Sequence, residues 1–238
     1  MPINDKELAA QLNSRFRDTD TQEVVSWVVQ TWGREAALSS SLSWEDQAVT
    51  AMMCHSPREK VRVFTLDTGR LYPECYDLIE RTRFTFGIDL EVFFPDYRAV
   101  QEMVAEHGVN LFFESVELRH RCCNVRKVEP LKRALQGTKV WITGLRRDQS
   151  VTRKDMQLFE FDEADGLIKF NPLIQWTEQQ VIAYVKDNGI PYNPLHDKGF
   201  PSIGCQPCTR AIKEGEDIRA GRWWWENPDH RECGLHSR

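Results

Sequence analysis

Seven cysteines and a handful of basic residues carry the chemistry this sequence could do. Cys205 and Cys208 enclose Gln206-Pro207, a two-residue gap that lets both thiolates reach one metal centre. The adjacent pair Cys122-Cys123 could add two more ligands from mid-chain, and a four-cysteine set suits a zinc ion as well as an iron–sulfur cluster. Cys233 is then left over, in a polar, glycine-containing stretch near the end of the chain with His236 three residues on. That setting reads as an accessible thiol, either a nucleophile or a stray terminal cysteine. Cys54 and Cys75 fall inside predicted helices and read as small buried hydrophobes.

Cations accompany the cysteines. Arg126 and Lys127 follow the cysteine pair, Arg146 and Arg147 follow a predicted strand, and Arg219 and Arg222 form an i, i+3 pair ahead of Trp223-Trp224-Trp225. Any one of them alone would be an ordinary solvated charge; grouped beside candidate ligands, they point to a pocket for a small anion. Ser39, Ser41 and Ser43 lie where a strand gives way to a helix, so their hydroxyls and backbone N–H groups suit a phosphate or, equally, a plain helix cap.

Composition bounds the setting. With 238 residues, 41% hydrophobic and 28% charged, the chain is long enough for a sizeable core and one main domain. A net charge of −5 argues against a general nucleic-acid binder. No apolar run approaches the roughly 18 residues of a membrane span, and the first residues lack the apolar stretch of a secretory signal. An odd cysteine count that includes two neighbours argues against a disulfide scaffold and for a reducing compartment, the cytoplasm.

The elements that must position these residues alternate. Two helices are expected first, over 5–16 and 24–32, the second led by Asp20-Thr21-Gln22-Glu23 and closed by Gly33. Strands follow at 36–40, 61–65, 90–94 and 140–143, with helices at 45–54, 73–86 and 97–107 between the early ones. Segments 158–161 and 167–170 flank Asp165-Gly166, a hairpin signal, and a capped helix runs from Thr177 to Asn188. Strand–helix alternation implies an α/β fold, a doubly wound, mainly parallel sheet whose ligand lies beyond the strands' carboxyl ends. A cysteine-bearing tail completes it: 1–200 reads as the nucleotide-binding α/β part with its N-terminal helices, and 201–238 as a C-terminal segment of the same domain.

Taken together, Cys122-Cys123 with Arg126-Lys127, the Thr143 to Gln149 segment, Cys205-Gln206-Pro207-Cys208-Thr209, Ala220-Gly221-Arg222-Trp223-Trp224 and Glu232-Cys233-Gly234-Leu235-His236 resemble the thioredoxin-dependent adenylyl-sulfate reductases over nearly the whole chain. The resemblance implies an adenine nucleotide α-hydrolase-like fold with strand order 3-2-1-4-5. It implies a [4Fe-4S] cluster on Cys122, Cys123, Cys205 and Cys208, and a catalytic Cys233 that becomes an S-sulfocysteine. The substrate is then adenosine 5′-phosphosulfate, held by Ser39, Ser41, Ser43, Lys127, Arg147, Arg219, Arg222 and His236, and the electron donor is thioredoxin. Neither nucleic acid nor membrane is an expected partner, and a homo-oligomer is left open. Ser41-Leu42-Ser43-Trp44-Glu45-Asp46 departs from the Ser-Gly-Gly-Lys-Asp-Ser loop of ATP-cleaving relatives, which argues against pyrophosphate handling. The alternatives are a reductase of the 3′-phosphorylated nucleotide and a non-catalytic iron–sulfur sensor.

Overall fold

A computed structural model describes residues 4–149 and 153–227. Helix α1 (Asp5–Arg15) starts at a capping box in which Asn4 and Glu7 bond each other's backbone N–H groups. Helix α2 (Thr21–Trp32) starts at Asp20, whose side chain accepts from the Gln22 N–H, and ends where Gly33 takes φ 51°. The sheet contains β1 (Ala36–Ser40), β2 (Val63–Leu66), β3 (Leu90–Phe93), β4 (Val140–Ile142), β5 (Phe159–Asp162) and β6 (Leu167–Phe170). Helices α3 (Trp44–Met53), α4 (Pro73–Phe86) and α5 (Tyr97–His107) connect the first strands, and α8 (Glu178–Asp187) follows the last. Among the described residues no helix is long and apolar enough to cross a membrane.

The strand order is β3-β2-β1-β4-β6-β5. Strand β1 pairs in parallel with β2 (Leu38 opposite Val63) and with β4 (Leu38 opposite Ile142), and β4 pairs in parallel with β6. Strand β5 is antiparallel at the edge. The doubly wound, mainly parallel sheet expected from the alternation is therefore present, with one difference in order. The chain reverses at Gly166, at φ 65°, and the hairpin's second arm rather than its first lies beside β4. Ala36, Ala37 and Leu38 of β1 are wholly buried, as strands covered on both faces must be.

Sequence periodicity did not reveal helices α6 (Val116–Cys123) and α7 (Glu129–Ala134), joined by a π-helical turn over Asn124–Val128. Helix α6 is short, polar and only weakly amphipathic; its start is fixed by Ser115, which accepts from the Leu118 N–H.

The chain divides into two compact units with interleaved segments: 1–65, 78–91 and 135–192 form one, and 66–77, 92–134 and 193–238 the other. The first has the sheet's centre and α2, which buries Val24, Val25, Val28 and Val29. The second has its own core of Met103, Leu111, Phe112, Cys122, Cys208 and Trp223.

Candidate functional site

In the sheet unit, the loop after β1 spends its donors on its own chain. The Ser41 N–H and the Ser41 hydroxyl both donate to Asp46 Oδ2, each at 2.7 Å. Ser43 caps α3 by accepting from the Asp46 N–H at 3.2 Å, and the Ser40 hydroxyl accepts from the Leu42 N–H at 3.1 Å. Leu42 sits in the left-handed region at φ 63°, which turns the loop sharply from strand to helix. Burial pushes the Asp46 carboxyl up to about 6 against the lowering effect of the Ser41 bonds. Ser39 accepts from the Trp141 indole N–H at 2.7 Å, which leaves the serine's own proton to donate.

The loop after β4 lies against this one. Gly144 approaches α3 so closely that a Cβ there would overlap the Asp46 carboxylate and crowd the Glu45 side chain. Arg146 is buried and donates through Nε to Glu45 Oε1 at 2.9 Å, with Gln149 on the same oxygen. Arg147 is half-buried and gives Nε to the Met156 carbonyl at 2.9 Å, keeping its terminal nitrogens for other partners.

In the other unit, Cys122, Cys123, Cys205 and Cys208 line one small cavity together with Arg126 and Lys127. Cys122 and Cys123 occupy the last turn of α6, and Arg126 and Lys127 belong to the π-helical turn that continues it. Cys205 caps and Cys208 ends a one-turn 3₁₀ helix, Gln206–Cys208, with Pro207 in its turn and the Gln206 N–H donating to the Arg70 carbonyl at 2.7 Å. Thr68 Oγ1 lies 3.2 Å from the Cys205 sulfur, and the Thr68 carbonyl accepts from Arg126 at 2.7 Å. Burial pushes the Cys208 thiol up to about 12, partly offset by Lys127 and Arg222, and pushes Cys122 up against the pull of Arg126.

Among the described residues, no three His, Cys, Asp or Glu side chains are already close enough to share one ion. The four cysteines are thus neighbours around a cavity rather than a formed cage. As a donor set they fit a metal cluster: the buried Cys122 and Cys208 thiols resist ionisation, so a soft metal taking the place of their protons, with Arg126 and Lys127 lining the same cavity, satisfies what burial otherwise penalises.

Of the other residues singled out in the sequence, Arg222 is buried, with no partner for its Nε, while Arg219 is half-buried beside it in the chain. Cys233 and His236 lie outside the described residues. Cys54 and Cys75 are buried as expected, their thiols each pushed up to about 11 by burial. Sequence reasoning missed Thr68, although Leu66-Asp67-Thr68-Gly69 at a strand end was visible. It also missed Arg119, one helical turn before Cys122, and Glu226, for which no local signal exists.

The sequence matches the family model described as the phosphoadenosine phosphosulfate reductase domain over residues 35–211. It is 54% identical over 198 residues to the adenosine 5′-phosphosulfate reductase of Burkholderia cepacia, covering 83% of this chain and 79% of that one. With the adenosine 5′-phosphosulfate reductase of Agrobacterium fabrum it shares 49% identity over 227 residues, 95% of this chain and 86% of that one. The crystal structure of phosphoadenylyl-sulfate reductase from Candida auris, a phosphate complex, matches with a TM-score of 0.74 at 26% identity over 89% of this chain and 99% of that one. Yeast FAD synthetase in complex with FAD matches with a TM-score of 0.54 at 12% identity over 87% of this chain and 75% of that one, a likeness of fold alone. The fold is adenine nucleotide α-hydrolase-like.

Proposed function

This chain belongs to the phosphoadenosine phosphosulfate reductase domain family, and on that premise we propose that it reduces adenosine 5′-phosphosulfate to sulfite and AMP in assimilatory sulfate reduction. It is an oxidoreductase acting on a sulfur group. The cofactor we assign is a [4Fe-4S] cluster on Cys122, Cys123, Cys205 and Cys208, the donor is thioredoxin, and the compartment is the cytoplasm. The observation supporting the cofactor is the single cavity that the four cysteines line with Arg126 and Lys127. When bound, the cluster with its four thiolates supplies a fixed charge of about −2 beside Lys127 and need not change redox state.

The substrate roles follow from donor type. Ser39, Ser41 and Ser43 are assigned to the nucleoside end. The Ser41 donors are already taken by Asp46, so this loop suits a neutral nucleoside better than a phosphate chain. Lys127, Arg147, Arg219, Arg222 and His236 are assigned to the phosphosulfate, whose two anionic groups need cationic donors.

In the first step the Cys233 thiolate attacks the sulfonate sulfur. A sulfur–sulfur bond forms, the bond from sulfur to the phosphate oxygen breaks, and AMP leaves with the electron pair, its charge met by the arginines. The enzyme then holds an S-sulfocysteine. A thioredoxin thiolate attacks the Cys233 sulfur, sulfite leaves with the electron pair, and the second thioredoxin thiol resolves the mixed disulfide. Sulfur gains two electrons and the thioredoxin dithiol loses two. Residues 201–238 form the segment that carries half of the cluster ligands and the nucleophile.

Sulfite release from each sulfonucleotide, measured with a thioredoxin system on anaerobically purified protein, tests the reading. The expected result is brown protein with about four irons per chain and a kcat/KM higher for adenosine 5′-phosphosulfate than for its 3′-phosphorylated form. Stoichiometric zinc, or a preference for the 3′-phosphorylated form, would overturn the cofactor or the substrate respectively.

A further inference from the structure

The most completely buried charge in the cysteine unit belongs to neither the ligands nor the proposed anion-binding residues. Arg119, on α6 one turn before Cys122, donates through Nε to Glu226 Oε1 at 2.7 Å, with side chains 0% and 4% exposed. The Arg119 guanidinium also lies 4.6 Å from the ring centroid of Trp223, and the Arg222 guanidinium lies at the same distance from that ring. One indole thus meets two cations, and Glu226 neutralises one of them.

The backbone around Trp223 is held in a form that a bulky side chain seldom adopts. Its φ is 43°, in the left-handed region, and the residue is 1% exposed. Three contacts hold it there: the Trp223 N–H donates to the Cys208 carbonyl at 3.2 Å, the Trp223 carbonyl accepts from the Glu226 N–H at 2.9 Å, and Arg222 bridges to Thr209. The Arg222 guanidinium rests against Gly204, where a Cβ would overlap it. The Trp223 ring is thus one of the surfaces that place the Arg222 guanidinium, and Arg119, paired with Glu226, meets that ring from the ligand-bearing helix.

We propose that Arg119 and Glu226 are positioning residues that clamp Trp223 and so fix Arg222 for the oxyanion of the substrate. The same clamp ties the segment 219–226 to the helix that carries Cys122 and Cys123. The part played by Arg222 rests on the reductase reading above; the clamp itself does not. Arg119 lines the cavity of the four cysteines without being one of the proposed ligands, and Glu226 bonds Arg119. An ion pair this deep is not the cheapest way to fill a core, because apolar side chains of similar volume serve stability as well. A specific arrangement is what it adds.

The test compares the full-length, iron-loaded wild type with the double variant Arg119→Met/Glu226→Gln, which leaves no single buried charge, and with Arg119→Lys, which keeps the charge but loses the planar stack and fork. Hydrogen exchange of the amides in 219–226, iron per chain, and the KM and kcat for sulfite release from adenosine 5′-phosphosulfate are measured for each. Both variants should keep wild-type iron and wild-type exchange in α3 and α8. Their 219–226 amides should exchange at least tenfold faster, and KM should rise at least tenfold with kcat changed less than threefold. If 219–226 exchanges as in wild type in both variants, or if kcat falls while KM holds, the proposal is overturned. Should the double variant fail to fold, Arg119→Lys decides alone, and wild-type behaviour there overturns it. A wild type that releases no sulfite while the exchange difference persists would instead overturn the reductase reading and leave the clamp standing.

Discussion

Each unit buries an arginine–glutamate pair, Arg146 with Glu45 and Arg119 with Glu226, but the two differ in the charge around their loops. In the sheet unit, the buried cation Arg146 meets the carboxylate of Glu45, and the buried carboxylate Asp46 collects the N–H and hydroxyl of Ser41. In the cysteine unit, the buried Arg126 donates to a neutral carbonyl, Arg222 has a buried Nε without a partner, and the groups between them are thiols whose ionisation is resisted by burial. A loop whose hydroxyl and N–H donors meet its own carboxylate suits a neutral group, whereas cations assembled around thiols suit negative charge brought by a ligand. The serine loop resembles a phosphate site by its place in the fold but has its anion built in.

The sharpest way to break this contrast is through the thiols. Cys233→Ser should lower sulfite release more than a thousandfold while leaving iron at the wild-type level, because a serine hydroxyl is far less ionised than a thiol near neutral pH. Intact mass after incubation with adenosine 5′-phosphosulfate alone should show one added SO₃ on wild type and none on the variant; an adduct mapped to Cys54 or Cys75 would sink the assignment. Cys208→Ser should lose iron first and activity, by at least a hundredfold, in consequence. Iron retained at the wild-type ratio would remove Cys208 from the ligand set.

On the sheet side the expected effect is on stability. Arg146→Met leaves Glu45 buried without its cation, which costs about 3–5 kcal/mol for a broken buried pair. The midpoint of chemical denaturation should fall accordingly, and Glu45→Gln added to it should recover part of the loss. A single variant as stable as wild type would show that the pair is not the anchor its 2.9 Å geometry suggests.

What was legible in the sequence is what lies close together along the chain. The gap between Cys205 and Cys208, the pair Cys122-Cys123, Gly108 as a helix stop and the hairpin at Gly166 are local signals with local causes. The π-helical turn that presents Arg126 and Lys127 has no such signal, since helix α6 is too short and polar for periodicity to show. The Arg119–Glu226 pair joins residues 107 positions apart, and nothing in either neighbourhood announces the other. The serine loop reads in the sequence as a helix cap or an anion site, and the Asp46 carboxylate that takes the Ser41 donors comes from the first turn of the following helix, a contact that the loop's composition does not announce.

The smallest effect expected is a pH dependence at that carboxylate. Burial raises the Asp46 pKa from 3.8 to about 6, so the folded state holds this proton more tightly than the unfolded chain does. The stability from the protonated form is therefore fully present below about pH 4 and is lost as pH rises through about 6. A shift of this size is worth on the order of 2–3 kcal/mol between those limits. Asp46→Asn, which keeps an oxygen facing Ser41 but cannot ionise, should flatten that part of the profile. Unfolding free energies from urea titrations at pH 4 and pH 7 are therefore compared for the two proteins. The difference between wild type and variant should move by about that amount toward the variant at pH 7. If the two profiles stay parallel, Asp46 titrates in the folded protein as it does in the unfolded chain, and the serine loop does not confine its carboxylate in the way the geometry indicates.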